Sequence, residues 1–321
     1  MTGYVGGDPY ESPTFGKALS LRVDGGVNAI SINPSGRDVV LASRQGLHVI
    51  DLDDPFSPPR WLRHITPWQV ADVQWSPHPA KPHWVVSTSN QKAIIWNLAR
   101  SSSDAIEHVL HKHFRAITDI NFNHQHPDIL ATCSIDTYVH AWDMRSPSRP
   151  FYTTREWVAG ASQVKWSFKD QNVLASAHGN EVSIWDLRKG STPLGKLLGH
   201  ESGVNSIDFN RFKNDEIMTG SNDGTVKFWD YSVSCTEAKR TIRTDFPIWR
   251  GRYLPFGEGC CLLPTIGGGD SVYLASLTNS VKKENCDTKL QPIYAFKGHT
   301  NRVIDFLWRS RSSSDAQVDD R

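Results

Sequence analysis

Residues 199–231 read GHESGVNSIDFNRFKNDEIMTGSNDGTVKFWDY and contain three short apolar runs separated by Asn, Asp, Gly and Ser. The runs are VNSIDF (204–209), EIMTGS (216–221) and TVKFWDY (225–231). Apolar or alternating runs of five to seven residues bounded by turn residues are typical of β-strands. This stretch therefore predicts three consecutive strands joined by tight turns.

The first of these runs recurs along the chain as apolar-x-x-apolar-x-aromatic units. They are VNAISI (27–32), VADVQW (70–75), ITDINF (117–122), ASQVKW (161–166), VNSIDF (204–209), IWRGRY (248–253) and VIDFLW (303–308). Their last residues are spaced by 43, 47, 44, 43, 44 and 55 positions. A period of about 40–45 residues with four strands per unit is typical of propeller blades.

A second run keeps the same phase and carries tryptophan in most repeats. It occurs as GLHVIDL (46–52), KAIIWNL (92–98), YVHAWDM (138–144), EVSIWDL (181–187) and TVKFWDY (225–231). Because Trp96, Trp142, Trp185 and Trp229 hold equivalent places, we predict that they pack between blades. The tryptophans outside this phase are predicted at the surface: Trp61, Trp68, Trp157 and Trp249.

These patterns predict an all-β chain, a β-propeller of nominally seven blades over residues 18–308 with the seventh incomplete. ALSLRV (18–23) is predicted as its outer strand and VIDFLW (303–308) as its innermost strand. We expect disordered tails at 1–17 and 309–321, and a mobile loop around 278–292, which lengthens the last interval. A blade without its middle strands leaves unpaired edges, so we expect weak closure there.

Composition excludes several functional classes. The formal net charge is +1, from 35 basic and 34 acidic residues, which argues against binding to nucleic acid or anionic lipid. No apolar run approaches the ~18 residues of a membrane helix, and residues 1–20 do not resemble a secretory signal, so we expect an intracellular protein without membrane insertion. Five cysteines without a CxxC pair predict reduced thiols and no zinc site.

Two repeats carry His, Thr, Asp and Trp at matched spacing. One set is His113, Thr132, Asp136 and Trp142, and the other is His200, Thr219, Asp223 and Trp229. A hydroxyl, an imidazole and a carboxylate together are also the groups of a catalytic triad. We instead predict a chain of hydrogen bonds that locks a turn, because Asp lies between two strands and the Thr and Trp lie on them. No catalytic residue, metal or cofactor is predicted.

Dipeptides within the repeats identify the chain as similar to the WD40-repeat family. They are Trp142-Asp143, Trp185-Asp186, Trp229-Asp230, Gly199-His200 and Gly298-His299. Five segments further resemble the N-terminal propeller of the WD-repeat protein fifty-nine family, which includes a yeast SEA-complex subunit: 70–98, 134–145, 158–166, 226–231 and 248–257.

The resemblance implies a scaffold in the second GATOR complex (SEACAT), which relays amino-acid sufficiency to the TOR kinase complex. Its partners would be other WD-repeat and coatomer-like subunits. Its location would be cytoplasmic and peripheral at the vacuole or lysosome membrane. Family members continue with the rest of the seventh blade, a middle region, an RWD domain and a RING-like zinc domain. We therefore expect this chain to be truncated relative to the family.

The candidate protein-binding residues lie in two places. Trp249, Arg250 and Arg252 belong to a repeat that lacks the Trp-Asp signature, and rim loops over a rigid frame often carry recognition. Arg145 and Arg188 end WDMR and WDLR segments, which match the WDxR box of cullin ubiquitin-ligase receptors. That receptor role is the alternative function. An enzymatic role would need free acidic and His ligands, which the two sets already use.

Overall fold

The computed structural model describes residues 21, 23, 25–64, 67–265, 271–277, 287–299 and 301–309. Within these ranges the chain is all-β and forms six sheets, which we number as blades one to six in chain order. Five sheets have four strands and one has a fifth strand at its edge. The described chain divides into two compact units, one of residues 21–166 with 305–309 and one of residues 167–304.

The first unit contains blades one to three and the first strand of blade four. Its strands are β1 (Val27–Ile32), β2 (Asp38–Ser43), β3 (Gly46–Asp51), β4 (Arg60–Arg63), β5 (Val73–Trp75), β6 (Trp84–Ser89), β7 (Lys92–Asn97), β8 (Ile106–His111), β9 (Ile117–Phe122), β10 (Ile129–Ser134), β11 (Tyr138–Asp143), β12 (Tyr152–Arg155) and β13 (Ala161–Trp166). A short 3-10 helix, Ser102–Asp104, precedes β8.

The second unit contains the other strands of blade four and blades five and six. Its strands are β14 (Val173–His178), β15 (Glu181–Asp186), β16 (Gly195–Leu197), β17 (Val204–Phe209), β18 (Glu216–Ser221), β19 (Thr225–Asp230), β20 (Arg240–Arg243), β21 (Ile248–Tyr253), β22 (Gly259–Pro264), β23 (Val272–Ser276), β24 (Asp287–Lys289) and β25 (Pro292–Phe296). A 3-10 helix, Leu187–Lys189, follows β15.

Within each blade, consecutive strands pair antiparallel, and the turns between second and third strands are short. The repeat predicted most of these strands, but β5 is shorter than the predicted run at 70–75. The backbone N–H groups of Ala71 and Asp72 donate to the Thr88 side chain at 2.7 and 3.2 Å. A side-chain hydroxyl therefore replaces strand pairing at the start of that run.

The in-phase tryptophans are buried, and three of them lie in core clusters that contain side chains of two neighbouring blades: Trp96, Trp142 and Trp229. Trp96, Trp142, Trp185 and Trp229 are at most 2% exposed. Among the out-of-phase tryptophans, Trp61, Trp68 and Trp157 are 45%, 55% and 77% exposed, and Trp249 is half-buried. Packing of aromatic side chains thus follows the repeat phase.

Neighbouring blades are joined by a second device that the sequence did not reveal. A polar side chain on the first strand of one blade, or just before it, accepts a hydrogen bond from the backbone of the next. Asp72 accepts from Ile120 N at 3.2 Å, and Asp119 accepts from Val164 N at 3.0 Å. In the second unit, Asp208 accepts from the N–H of Tyr253 at 2.7 Å. The first strands are held in register by side-chain hydrogen bonds as well as by apolar packing.

The prediction of seven blades is wrong for the described chain, which has six. Residues 302–309, including the predicted innermost strand at 303–308, form no strand. Two of their backbone groups form hydrogen bonds with side chains. Ile304 O accepts from the Trp249 indole at 3.0 Å, and Phe306 N donates to the Asp305 side chain at 2.9 Å. The predicted outer strand at 18–23 lies mostly outside the described residues, and neither Leu21 nor Val23 is in a strand.

The predicted loop at 278–292 is also partly wrong. Asp287–Lys289 forms β24, which pairs parallel with β20 at the edge of blade five. The next residue, Leu290, is buried and its N–H donates to Arg243 O at 2.7 Å, which anchors the strand. Residues 278–286 and both predicted tails, apart from Arg309, lie outside the described residues.

Cys133, Cys235, Cys260 and Cys261 are free thiols, as predicted, whereas Cys286 lies outside the described residues. Burial raises the pKa of Cys260 to about 12. Across the described ranges, no helix is long and apolar enough to cross a membrane.

Candidate functional site

The first predicted set forms a continuous hydrogen-bonded chain in blade three. Trp142 Nε1 donates to Thr132 Oγ1 at 3.0 Å, and that hydroxyl lies 2.9 Å from His113 Nε2. His113 Nδ1 lies 3.0 and 3.1 Å from the Asp136 carboxylate oxygens. Because the indole can only donate, the Thr hydroxyl donates onward to Nε2, and Nδ1–H donates to Asp136.

Blade five repeats this geometry. Trp229 Nε1 donates to Thr219 Oγ1 at 2.8 Å, Thr219 lies 2.7 Å from His200 Nε2, and His200 Nδ1 lies 2.9 Å from Asp223. The carboxylate also accepts from Glu201 N at 3.0 Å. The Asp side chain thus ties the loop that enters the first strand to the turn between the second and third strands.

The electrostatics of both carboxylates fit a structural role. Burial raises the pKa of Asp136, but hydrogen bonds from His113 and two backbone N–H groups outweigh it and lower the pKa to about 2. The same balance, with a hydrogen bond from Thr225, lowers the pKa of Asp223. Thr132 and Thr219 are fully buried between indole and imidazole, so neither hydroxyl faces a substrate.

Two further blades contain shorter versions that sequence reasoning missed. In blade two, Ser87 Oγ accepts from Trp96 Nε1 at 2.9 Å and lies 3.0 Å from His64 Nε2. In blade four, Ser176 accepts from Trp185 at 2.8 Å and lies 2.9 Å from His178. Spacing concealed them, because the hydroxyl and the Trp are nine residues apart here and ten in the complete sets.

The length of the turn between the second and third strands explains why blades two and four lack the Asp carboxylate. The turns of blades two and four each contain two residues, 90–91 and 179–180, whereas the complete sets have three, 135–137 and 222–224. Asp occupies the middle of a three-residue turn. Without it, His64 Nδ1 is buried without a hydrogen-bond partner among the described residues, and burial lowers the His64 pKa to about 4.

The structure places the candidate binding residues Trp249, Arg250 and Arg252 on β21. The guanidinium carbons of Arg250 and Arg302 lie 4.8 and 5.3 Å from the Trp249 ring centre. Arg250 also donates to Asn205 O at 3.0 Å. Arg250 thus bonds to the neighbouring blade, and Trp249 contacts residues 302–304.

Arg145 and Arg188, the arginines of the WDxR segments, fold back onto the preceding aspartates. Arg145 Nη2 lies 2.6 Å from Asp143, and Arg188 Nε lies 2.8 Å from Asp186. The arginine side chains remain 64% and 56% exposed. Each arginine therefore forms an ion pair within its own blade while much of its side chain stays exposed.

A cluster of exposed apolar side chains lies on three adjoining loops of blade three, which we term the blade-three patch. Its members Phe114, Ile135, Trp157 and Val158 are 73%, 48%, 77% and 79% exposed. The loops contact one another. Phe114 N donates to Asp136 at 2.8 Å and Ile135 N donates to Ala116 O at 3.2 Å, and the loop that carries Trp157 is joined by Glu156 N, which donates to Thr137 O at 3.4 Å. Exposed apolar groups in one place often mark an interaction site.

Basic side chains surround this patch. Lys112 and Arg115 are exposed beside Phe114, and the Arg155 guanidinium lies 3.2 Å from the centre of the Trp157 ring. Among the residues that the structure describes, no group of three or more His, Cys, Asp and Glu side chains could hold a metal ion. The exposed side chains of the blade-three patch are thus apolar, and charged groups beside them are basic.

Comparisons with known proteins agree with this repeat architecture. The family described as WD domain, G-beta repeat, matches residues 105–143 and 191–230. A chain in the crystal structure of a mitotic checkpoint complex superposes with a TM-score of 0.72 over 95% of this chain and 92% of that one, at 17% identity. The likeness to that structure concerns the fold alone.

Two curated proteins are similar along the sequence. Maintenance of telomere capping protein 5 of Saccharomyces cerevisiae is 74% identical over 322 residues, which cover 100% of this chain and 28% of that protein. The human GATOR2 complex protein WDR59 is 33% identical over 92% of this chain and 30% of its own length. The chain therefore spans less than a third of these relatives.

Proposed function

We propose that this chain, which carries WD40 repeats and is homologous to the GATOR2 complex protein WDR59, is a non-enzymatic scaffold for protein assembly. The assembly is of the SEACAT type, with other WD-repeat and coatomer-like subunits, and regulates TOR kinase signalling in response to amino acids. We place the protein in the cytoplasm, held at the vacuole or lysosome membrane through that complex. Similarity to WDR59 over most of the chain supports this proposal.

The blade-three patch is the observation that carries the scaffold role. Four large apolar side chains at 48–79% exposure lose water contact when a partner covers them, which favours association. Aromatic and arginine side chains such as Trp157 and Arg155 are also the types that most often dominate binding energy at interfaces. We therefore assign this patch to a subunit contact, with Trp249, Arg250 and Arg252 as a second candidate surface.

Catalysis is not part of the proposal. The hydroxyl and imidazole groups that invite a triad interpretation are buried in the blade. Each hydroxyl accepts from a Trp indole and lies within hydrogen-bond distance of the imidazole. A nucleophile must reach a substrate and have an oxyanion site beside it. The buried position of Thr132 and Thr219 supports a structural role for both sets.

The test is co-purification from cells that express the affinity-tagged chain, with quantitative mass spectrometry of GATOR2 complex subunits. We expect Phe114→Ala with Trp157→Ala to reduce their recovery at least fivefold, because truncating an interface anchor commonly costs more than ~1 kcal/mol. Phe56→Ala with Val233→Ala is the matched control, since these side chains are 78% and 82% exposed elsewhere.

Normal recovery with the blade-three variant would assign the contact to another surface. Absence of all GATOR2 subunits from the unsubstituted chain would contradict the proposed assembly. Recovery of a cullin adaptor that is lost with Arg145→Glu and Arg188→Glu would instead support the ubiquitin-ligase alternative.

A further inference from the structure

A cavity of about 530 Å³ lies where strands of blades five and six end, away from the hydrogen-bonded sets and the blade-three patch. Its apolar wall includes Phe228, Leu254 and Leu277, and the exposed Phe212 stands at its side. Its volume is within the ~300–1,000 Å³ range of ligand pockets. The cavity can therefore hold a few residues of a peptide.

The acidic group inside the cavity is already engaged. Glu216, 7% exposed, accepts from Asn210 Nδ2 at 2.7 Å and from the Tyr253 hydroxyl at 3.1 Å. The ammonium groups of Lys213 and Lys239 each lie 3.8 Å from its carboxylate. Glu216 thus organises the cavity wall and is neutralised by its neighbours.

The basic group inside the cavity is not fully engaged. Arg240 donates from Nη1 to Leu277 O at 2.9 Å, but its buried Nε has no hydrogen-bond partner within the described chain. Burial lowers the pKa of this guanidinium. A buried N–H without an acceptor is costly, and a carboxylate is the acceptor that pairs best with a guanidinium.

The equivalent arginine in blade one has more hydrogen-bond acceptors around its guanidinium. Arg60, like Arg240, is the first residue of an outer strand, and it reaches the next blade. Its guanidinium donates to Leu98 O and Arg100 O, and to Ser102 Oγ at 3.3 Å. Three acceptors from one loop therefore surround Arg60, whereas the described residues give Arg240 one.

The charge around Arg240 favours an anion. Arg240, Lys213 and Lys239 give three positive charges against two from Glu216 and Glu258, so the lining carries a net +1. Glu258 is 53% exposed at the rim and lies 3.9 Å from Lys213. If the bound carboxylate belongs to an internal Asp or Glu of a peptide, the next residue of that peptide supplies a backbone N–H from which the Glu258 carboxylate can accept a hydrogen bond. A C-terminal carboxylate has no following residue and therefore no such N–H.

From this arrangement we infer that the cavity binds a partner segment with an internal Asp or Glu beside an apolar side chain. The carboxylate pairs with Arg240 and Lys239, and the apolar side chain packs on Phe228 and Leu254. The inference deepens the proposed scaffold function by naming the chemistry of one partner segment, and it rests on that function. Binding of isolated peptides tests it separately from assembly in cells.

The experiment uses the 321-residue chain labelled with ¹³C at leucine methyl groups. Three peptides are titrated: acetyl-Ala-Leu-Glu-Ala-amide, its Gln counterpart, and acetyl-Ala-Gln-Leu with a free C-terminal carboxylate. We expect the Glu peptide to shift the Leu254 and Leu277 methyl resonances and to bind at least about tenfold more tightly than the Gln peptide, as a charge-assisted hydrogen bond requires.

Two variants locate the site. Arg240→Gln is expected to weaken the Glu peptide about tenfold and leave the Gln peptide unchanged. Because Arg240 is partly buried, Lys239→Glu provides a second variant at a side chain that is 50% exposed, and it should weaken the same peptide. Lys189→Glu, an exposed lysine outside the cavity, is the matched control and should bind like the unsubstituted chain.

Equal affinity for the Glu and Gln peptides, or tighter binding of the free-carboxylate peptide, would overturn the inference. So would the absence of methyl shifts up to about 5 mM Glu peptide, a weaker interaction than the site should give. Loss of GATOR2 subunits in cells with intact peptide binding would instead count against the proposed function alone.

Discussion

The buried threonine hydroxyls of blades three and five allow a sharp test of the hydrogen-bonded sets. Replacing Thr132 or Thr219 with Val keeps the side-chain shape but removes the hydroxyl between an indole N–H and an imidazole nitrogen. Both hydroxyls are fully buried, and the Trp and His partners are at most 5% exposed. Each orphaned polar group costs about 1–3 kcal/mol, and each substitution orphans two, so it should lower the free energy of unfolding by about 2–6 kcal/mol.

Substitution with Ser separates hydrogen bonding from packing. Thr132→Ser keeps the hydroxyl and removes one methyl group, which costs about 1 kcal/mol in a core. Blades two and four already use Ser87 and Ser176 at this place. We therefore expect the Val variant to be less stable than the Ser variant, although Val is the more apolar residue.

The assay is urea unfolding followed by tryptophan fluorescence and by far-ultraviolet circular dichroism. Coincident transitions with an unchanged m-value allow the midpoints to be compared as free energies. Thr236→Val, at an exposed position, serves as the control and should stay within about 0.5 kcal/mol. If Thr132→Val and Thr219→Val are as stable as the Ser variants, the hydrogen-bonded chain does not stabilise the blade as described.

Three other predictions concern single positions. Burial lowers the His64 pKa to about 4, below the 6.5 of an unfolded His, so the unfolded chain binds more protons between these values. The free energy of unfolding should therefore be highest above pH 6.5 and fall by roughly 3 kcal/mol as the pH drops to 4. Urea midpoints measured across this range should change less with pH for His64→Gln than for the unsubstituted chain. Asp119→Ala leaves the Val164 N–H without its acceptor and should lower the unfolding free energy by about 3 kcal/mol, whereas an unchanged midpoint would contradict its role in joining the blades. Gly46→Ala places a methyl group 2.3 Å from Leu62 O and should lower the melting temperature, whereas Gly26→Ala meets nothing within 4 Å and should leave it unchanged.

The repeat phase predicted the strands well at positions where the same type of residue recurs in the same packing role. A large aromatic at the end of most first strands and a Trp in four of the third strands recur because those positions pack against the neighbouring blade. The same logic failed at the end of the chain. VIDFLW (303–308) has the pattern of a first strand, yet the described residues give it no strand partner, and a strand exists only where another backbone pairs with it.

Sites were less predictable than strands. Matched spacing located Thr132 and Thr219, but turns one residue shorter concealed Ser87 and Ser176. The exposure of Trp157 was predicted because it lies outside the repeat phase. The exposure of Phe114, and its place in one patch with Trp157, could not be derived from the sequence, because the patch exists only where three loops meet. The sequence also does not show that Arg240 Nε lacks a hydrogen-bond partner, because the surroundings of this atom include residues up to 37 positions away in the chain.

The repeating β-structure of the WD40 kind can be recognised from sequence alone, because strand pattern, turns and tryptophan phase are encoded locally in each repeat of about 44 residues. The number of blades in the described chain, the side chains that hold the backbone of the next blade, and the apolar and basic groups that stay exposed or incompletely bonded emerge only in the folded chain. Those outcomes depend on contacts between residues far apart in the chain, and a local pattern does not specify them.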